Sequence, residues 1–173
     1  ISGLFEYGGT TEGAWLLRRA LRMPWELDQV LDPDLAAEGL RTLAIEQNLR
    51  TTRTGIENLT DQVQALETAW YMKNQLLRDA DWAGMAHGLE IRVPLVDPVL
   101  FRHIRRLTAS GQRPGKQNMA RSARPLLPGE ILDRRKTGFF VPVADWVLGD
   151  RPAGKSGGGY RGWANRIAGQ FGF

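Results

Sequence analysis

Residues 79–97 read DADWAGMAHGLEIRVPLVD, and this stretch decides how the rest of the chain is interpreted. A short helical turn leads into a run in which charged and apolar residues alternate, so Glu90 and Arg92 are expected to point to one face of an extended segment. A carboxylate and a guanidinium are therefore predicted to lie side by side. Asp97 followed by Pro98 is typical of a helix N-cap with proline at the first helical position.

The composition indicates an ordinary globular protein. The chain has 173 residues, 42% of them hydrophobic, which is enough for one domain with a core of its own. The formal net charge is only +4, so a solvated surface or a pocket for an anionic substrate explains the basic residues better than a nucleic-acid partner does. The absence of cysteine excludes disulfides, thiolate metal sites and a cysteine nucleophile within this chain. No apolar run approaches the ~20 residues of a membrane span and no signal peptide is evident, so no membrane partner and a cytoplasmic location are expected.

Apolar residues recur at helical spacing along most of the chain, and nothing alternates for long enough to require a sheet. The predicted fold class is therefore mainly α, with the strongest helix, residues 60–78, largely buried as the core helix. Residues 48–58 are polar and are predicted to form a loop, and residues 149–159 (GDRPAGKSGGG) a flexible one. Further helices are predicted at residues 10–22, 25–31, 34–47 with Asp34 as the cap, 98–107, 116–123, 129–135, 142–148 and 160–173, the last docked on the rest of the chain.

The turn Lys136-Thr137-Gly138 is the first candidate for chemistry. It follows two arginines, and Gly138 lets the backbone approach a ligand closely. The compact ammonium of Lys136 suits an oligophosphate or an anionic intermediate. The alternative is that these cations complement a helix C-terminus and face water.

Glu90 and Arg92 are the second candidates. In the functional interpretation, Glu90 is a buried acid beside a substrate pocket and Arg92 holds the fold or an anion. In the structural interpretation, the two form an ion pair that fixes the run against the core helix. Asp79 and Asp81 could approach magnesium-bound phosphates or simply cap the turn at Trp82. The two histidines form neither a metal pair nor a catalytic triad, so no metal ligand is assigned.

Three separated motifs carry a resemblance to a known family: LFEYGGTTEGAWLLRR at residues 4–19, MAHGLEIRVPLVD at 85–97 and DRRKTGFFVPV at 133–143. In this order they resemble the C-terminal synthetase half of the glutamine-hydrolysing asparagine synthetases. The resemblance implies that residues 1–173 are the helical C-terminal part of an α/β synthetase domain of the adenine nucleotide alpha-hydrolase-like type.

The resemblance also implies an activity. Enzymes of this family activate the side-chain carboxylate of aspartate with ATP and magnesium, release pyrophosphate, and let ammonia attack the acyl-adenylate to give asparagine. By that resemblance Lys136 and Glu90 are the catalytic residues, and Lys136, Gly138 and Arg92 contact the nucleotide. The expected partners are aspartate, ATP, an N-terminal glutaminase domain and the pyrophosphate-loop part of the synthetase domain.

The chain departs from the family pattern in two places. The S-G-G-x-D-S pyrophosphate loop is missing, because Ser156-Gly157-Gly158-Gly159 has no apolar strand before it and no aspartate or serine at the right offset. The cysteine nucleophile of the glutaminase domain is missing too. The chain is therefore expected to be a fragment that is inactive alone, with ATP and magnesium bound mainly by the missing part. Two alternatives stay open: a non-catalytic helical interaction module, and a related enzyme that amidates a sugar or cyclises a peptide.

Overall fold

The computed structural model describes residues 2–123, 125–135, 137, 142, 146 and 159–172. The chain divides into two compact units, residues 1–86 with 141–173 and residues 87–140. The described residues form helices, turns and irregular segments, and no β-strand occurs among them. The prediction of a mainly α fold is confirmed.

The helices follow one another along the chain with short connections. All of those given below belong to the first unit except α7, α8 and α9, which form the second. In chain order they are α1 (Ser2–Tyr7), α2 (Thr11–Arg19), a 3₁₀ helix (Pro24–Gln29), α3 (Pro33–Leu43), α4 (Ile45–Arg53), α5 (Leu59–Leu66), a π-helix (Glu67–Leu77), α6 (Arg78–Met85), α7 (Pro98–Ala109), α8 (Lys116–Arg121), α9 (Gly129–Leu132) and α10 (Tyr160–Gln170).

Side-chain caps fix where several of these helices begin. Thr10 Oγ1 accepts a hydrogen bond from Gly13 N at 3.1 Å and so opens α2. Asp97 Oδ1 accepts a hydrogen bond from Leu100 N at 2.7 Å and opens α7. Each cap satisfies a backbone N–H that has no partner inside the helix, which is why polar side chains stand at these positions. The cap at Asp97 agrees with the prediction from sequence.

The predicted helix at residues 34–47 is divided in two. Asp32 is the cap of its first half, because its Oδ1 atom accepts hydrogen bonds from Asp34 N at 2.9 Å and Leu35 N at 3.2 Å. The predicted cap at Asp34 is therefore wrong. Ala44 then adopts a left-handed conformation with φ 42°, which ends α3 and begins α4.

The predicted loop at residues 48–58 is helical as far as Arg53, so that prediction is wrong for its first half. Thr51 and Thr52 do not interrupt the helix, because their hydroxyls donate to carbonyl oxygens four residues earlier at 2.9 and 2.8 Å. Leu49 of the same helix is fully buried. Burial of this side chain outweighs the modest helix propensity of the threonines.

The core of the first unit lies between α2, α4 and α5, which pack against one another. Leu49 and Leu66 are fully buried there, and Tyr7, Leu16 and Met23 are nearly so. Apolar surface removed from water in this way is the main contribution to the stability of the unit.

The predicted core helix is part of a continuous helical stretch from Leu59 to Met85, and it is less buried than expected. Leu66 is the fully buried apolar residue of this stretch, and Trp70 packs partly buried against the core. Beyond that point the apolar side chains reach the surface, and Trp82 is 62% exposed. The prediction overestimated the burial of this helix. Apolar periodicity shows which face of a helix is apolar, but it does not show how much of the helix a neighbour covers.

α10 is docked onto the first unit, as predicted for the tail. Arg161 donates to Glu26 Oε1 at 2.7 Å and to Glu26 Oε2 at 3.0 Å, and its Nε donates to Leu21 O at 2.9 Å. Arg22 Nη2 donates to Asn165 Oδ1 at 2.8 Å. Four polar contacts therefore join α10 to the turn that follows α2 and to the 3₁₀ helix.

The second unit consists of α7, α8 and α9 with an irregular run before them, and α8 packs against α9. The predicted helix at residues 142–148 is described only at Pro142 and Trp146, and the predicted flexible loop at 149–159 lies outside the described residues except for Gly159. In the part of the chain that the structure describes, every helix is too short or too polar to cross a membrane.

Candidate functional site

The run between α6 and α7 brings the predicted acid and arginine together. Arg92 Nε lies 3.0 Å from Glu90 Oε1, and Arg92 Nη2 lies 3.5 Å from Glu90 Oε2. This is the arrangement expected where alternate residues share a face. The Glu90 and Arg92 side chains are 70% and 81% exposed, so the expectation of a buried acid is not met. An ion pair this exposed adds little to stability, and its proposed role toward a substrate stays a prediction.

Lys136 and Gly138 lie outside the described residues, so their roles also stay predictions. Their neighbours Arg134, Arg135 and Thr137 are all exposed. Exposed cations after α9 are compatible with a site that meets an anion and equally with a solvated helix end.

Asp79 and Asp81 lie at the start of α6, which continues directly from the π-helix, so no free helix N-terminus stands there for them to cap. On the same helix the Arg78 guanidinium lies 4.5 Å from the centroid of the Trp82 ring. Among the described residues, no three histidine, cysteine, aspartate or glutamate side chains are grouped so that they could hold a metal ion. The approach of Asp79 and Asp81 to magnesium-bound phosphates, for which one or two carboxylates are enough, stays a prediction.

Glu12 of α2 is a buried charge that sequence reasoning missed. Its side chain is 2% exposed and is held by two arginines of α4: Arg50 Nε lies 3.0 Å from Oε1, and Arg53 Nη2 lies 2.6 Å from Oε2. Arg53 also donates to Gln62 Oε1 of α5 at 3.3 Å. One polar network thus joins the three helices that surround the core.

The protonation of Glu12 follows from this network. Burial raises its pKa, but hydrogen bonds from its own backbone and from Arg50 and Arg53 outweigh burial and hold the pKa below the ordinary value of 4.5. The carboxylate is therefore ionised at neutral pH. Glu12 lies four residues before the buried Leu16 and shares its face of α2, but only the structure shows that this face is buried.

A second network joins α2 to the first turn of the π-helix. Trp15 Nε1 and Arg19 Nε each donate to Glu67 Oε1 at 2.9 Å, and Arg19 Nη2 also pairs with Glu67 Oε2. The Arg19 guanidinium lies 3.6 Å from the centroid of the Tyr71 ring. The hydrogen bonds from Arg19 are the main reason why the pKa of Glu67 is below its ordinary value.

In both networks the charged side chains are paired with one another within the protein. Glu12 and Glu67 are ionised and paired with arginines, so neither is free to take a proton from a substrate or to bind a cation. These described residues of the first unit act as a scaffold. The candidates for chemistry remain the two motifs at residues 79–97 and 133–138.

Comparison with known proteins decides the family. The family model described as asparagine synthase matches residues 9–154, which is most of the chain. The chain belongs to the asparagine synthase family. The matched range contains the motifs at residues 85–97 and 133–143 and most of the motif at 4–19, so the resemblance found in the sequence is confirmed.

Relatives in this family are much longer than the chain. Proteins of Mycobacterium tuberculosis (strain ATCC 25618 / H37Rv) and Mycobacterium bovis, provisionally named glutamine-hydrolysing asparagine synthetases, are each 33% identical to it over 89 residues. Glutamine-hydrolysing asparagine synthetase 1 of Bacillus subtilis (strain 168) is 30% identical over 92 residues. Each alignment covers 50% of this chain and 14% of the relative. No solved structure matches the chain.

Proposed function

We propose that this member of the asparagine synthase family is the C-terminal helical part of a glutamine-dependent asparagine synthetase, and that other parts of the enzyme complete the active site. The observation that carries the proposal is the match of the family model to residues 9–154. Relatives that bear the name asparagine synthetase align with half of the chain, which adds support.

The proposed reaction forms an amide in two steps. An oxygen of the aspartate side-chain carboxylate attacks the α-phosphorus of ATP, and pyrophosphate leaves as the acyl-adenylate forms. Ammonia from glutamine then attacks the acyl carbon, AMP leaves, and the new amide nitrogen loses a proton. Negative charge accumulates around the phosphates in the first step, so an ammonium fixed beside them, the role proposed for Lys136, stabilises the transition state.

Other parts of the enzyme are assigned the remaining tasks. The chain contains neither a cysteine nor an S-G-G-x-D-S motif. We therefore assign glutamine hydrolysis to a glutaminase domain, and binding of the ATP phosphates with magnesium to the pyrophosphate-loop part of the synthetase domain. The ion-paired carboxylates support this division, because Glu12 and Glu67 are engaged with arginines and the described residues contain no group of three acidic, histidine or cysteine side chains for a metal ion.

Apolar side chains on the second unit support a contact with another polypeptide segment. Leu89 and Leu95 are 63% and 62% exposed, and Val99 and Phe101 of α7 are both 49% exposed. Apolar surface of this kind is typical of a protein–protein contact. In the proposed enzyme, these side chains pack against the parts that bind the nucleotide.

The proposal is tested with the complete synthetase that contains this chain. Supplied with ATP, magnesium, aspartate and glutamine, it is expected to form asparagine, AMP and pyrophosphate in equal amounts, measured by chromatography and a pyrophosphate assay. Pyrophosphate release that does not depend on aspartate but requires a sugar or a peptide carboxylate would point to the related amidating or cyclising enzymes. No pyrophosphate release with any of these acceptors would leave the non-catalytic helical module as the function.

A further inference from the structure

An aliphatic groove lies in the first unit between α2, the 3₁₀ helix, α3, α4 and α10. Its volume is about 560 Å³, within the range of sites that bind small molecules. Each of the five helices contributes aliphatic side chains, represented in chain order by Leu16, Leu27, Leu40, Ile45 and Ala168. The described residues that line the groove include none of those proposed to act in the synthetase reaction, so the groove requires an explanation of its own.

Arg22 and Asn165 are the polar residues among the described lining of the groove. Arg22 Nη2 donates to Asn165 Oδ1 at 2.8 Å in an exposed hydrogen bond, so this pair lies where the groove meets solvent. A guanidinium at the edge of an aliphatic cleft suits a ligand with one charged end and one apolar end.

The charges beside the groove favour an anion. Glu26 is occupied, because Arg161 binds both of its oxygens at 2.7 and 3.0 Å and Met23 N donates to Oε2 at 2.8 Å. Arg22 lies close enough to contribute to the lowered pKa of Glu26, after the larger effects of Met23 and Arg161. Within the described part of the chain, Arg22 forms no salt bridge with a carboxylate. Among the described residues, Glu26 is therefore paired with Arg161, and the positive charge of Arg22 at the edge of the groove has no carboxylate of its own.

We propose that the groove binds a medium-chain aliphatic carboxylate, with its tail along the leucines and its carboxylate on Arg22. A guanidinium can bind both oxygens of a carboxylate at once. The volume of the groove is in the range of small-molecule sites, and its aliphatic lining ends at a single guanidinium, so a small molecule with an apolar tail and one anionic group is the occupant that the lining favours. This site goes beyond the proposed synthetase function and does not depend on it.

The binding is tested by calorimetric titration of the 173-residue chain with decanoate, octanoate and decylammonium, below their micelle concentrations. Decanoate is expected to bind at one site. Octanoate is expected to bind about fifteenfold more weakly, because each buried methylene adds about fourfold in affinity. Decylammonium has the same tail with the opposite charge, and repulsion from Arg22 is expected to make its affinity at least about tenfold lower than that of decanoate. Saturable binding by decanoate that decylammonium equals would overturn the assignment of the anion, and no saturable binding by decanoate would overturn the site.

Variants locate the site on the chain. Arg22→Gln is expected to lower the affinity for decanoate by about tenfold, because the charge-assisted hydrogen bonds are lost. Arg18→Gln removes the same charge from an exposed position outside the groove and is expected to leave the affinity unchanged. Leu40→Trp is expected to fill the groove and abolish binding. Should circular dichroism show that Leu40→Trp does not fold, Ala168→Phe fills the groove from α10 instead. Equal affinities of the two arginine variants, or full affinity in a folded groove-filling variant, would contradict the proposal.

Discussion

Glu12 shows how far the setting of one residue can depart from the usual behaviour of its type. An acid in the first turn of a helix is favoured by the dipole and is usually solvated. Here the side chain is 2% exposed and paired with Arg50 and Arg53. The sequence predicts the helix, because that depends on local periodicity and on the cap at Thr10. It does not predict the pairing, because Arg50 is 38 residues away and only packing of α4 on α2 brings it close.

Replacing this carboxylate is expected to cost stability. Glu12→Gln keeps the shape of the side chain but removes a charge that two arginines share, which is expected to lower the free energy of unfolding by about 2 kcal/mol at pH 7. Glu38→Gln is the matched control, because Glu38 pairs with Arg41 on the surface of α3 and such pairs add little. Urea unfolding of the three proteins measures the difference. Equal midpoints for the two variants would show that the buried network does not stabilise the unit.

The pH dependence of the same variant tests the direction of the pKa shift. Since the folded-state pKa of Glu12 lies below the ordinary 4.5, the carboxylate stabilises the fold fully above pH 4.5. That contribution is lost as the pH falls through the lower folded-state pKa. The stability difference between the wild type and Glu12→Gln is therefore expected to be constant near neutrality and to shrink in acid. A difference that grows on acidification would contradict the assigned shift.

Among the elements, the junction of α3 and α4 is where prediction from sequence and structure differ most clearly. Alanine is the strongest helix former, so a run through Ala44 predicts one helix. The structure places Ala44 at φ 42° and ψ 46° instead, between two helices. Leu49 of α4 is fully buried, and such burial is a tertiary contact that local helix propensity does not report. Periodicity thus locates the helices, while tertiary packing decides where they break.

Glycine is expected to suit this junction better than alanine. The left-handed conformation costs a residue with a Cβ atom about 1–2 kcal/mol, part of which glycine regains despite its greater freedom in the unfolded chain. Ala44→Gly is therefore expected to raise the free energy of unfolding by about 0.5–1 kcal/mol. Ala37→Gly, at an exposed position inside α3, is expected to lower it by about 1 kcal/mol. Thermal unfolding compares the two, and destabilisation of equal size in both would show that α3 and α4 form one helix.

At the scale of the whole molecule, the sequence predicts more of the family and the fold class than of the site. Three motifs in order point to the asparagine synthase family, and the match over residues 9–154 confirms it. The pairing of Glu90 with Arg92 follows from alternation along the chain, which is local. Their 70% and 81% exposure does not follow from it, because exposure depends on what else packs against the run. In the proposed enzyme, further segments pack on this surface. The exposure of the active-site residues therefore also depends on contacts that the local sequence does not reveal.

Asparagine formation by the complete synthetase with Lys136→Ala tests the central claim, that this helical part supplies a cation to the nucleotide site. The rate is expected to fall by about a hundredfold or more, the effect of losing one group that stabilises transition-state charge, while the melting temperature stays unchanged. Lys116→Ala, at an exposed lysine of α8, is the control and is expected to keep the wild-type rate. Turnover of the Lys136→Ala enzyme close to that of the wild type would contradict the account.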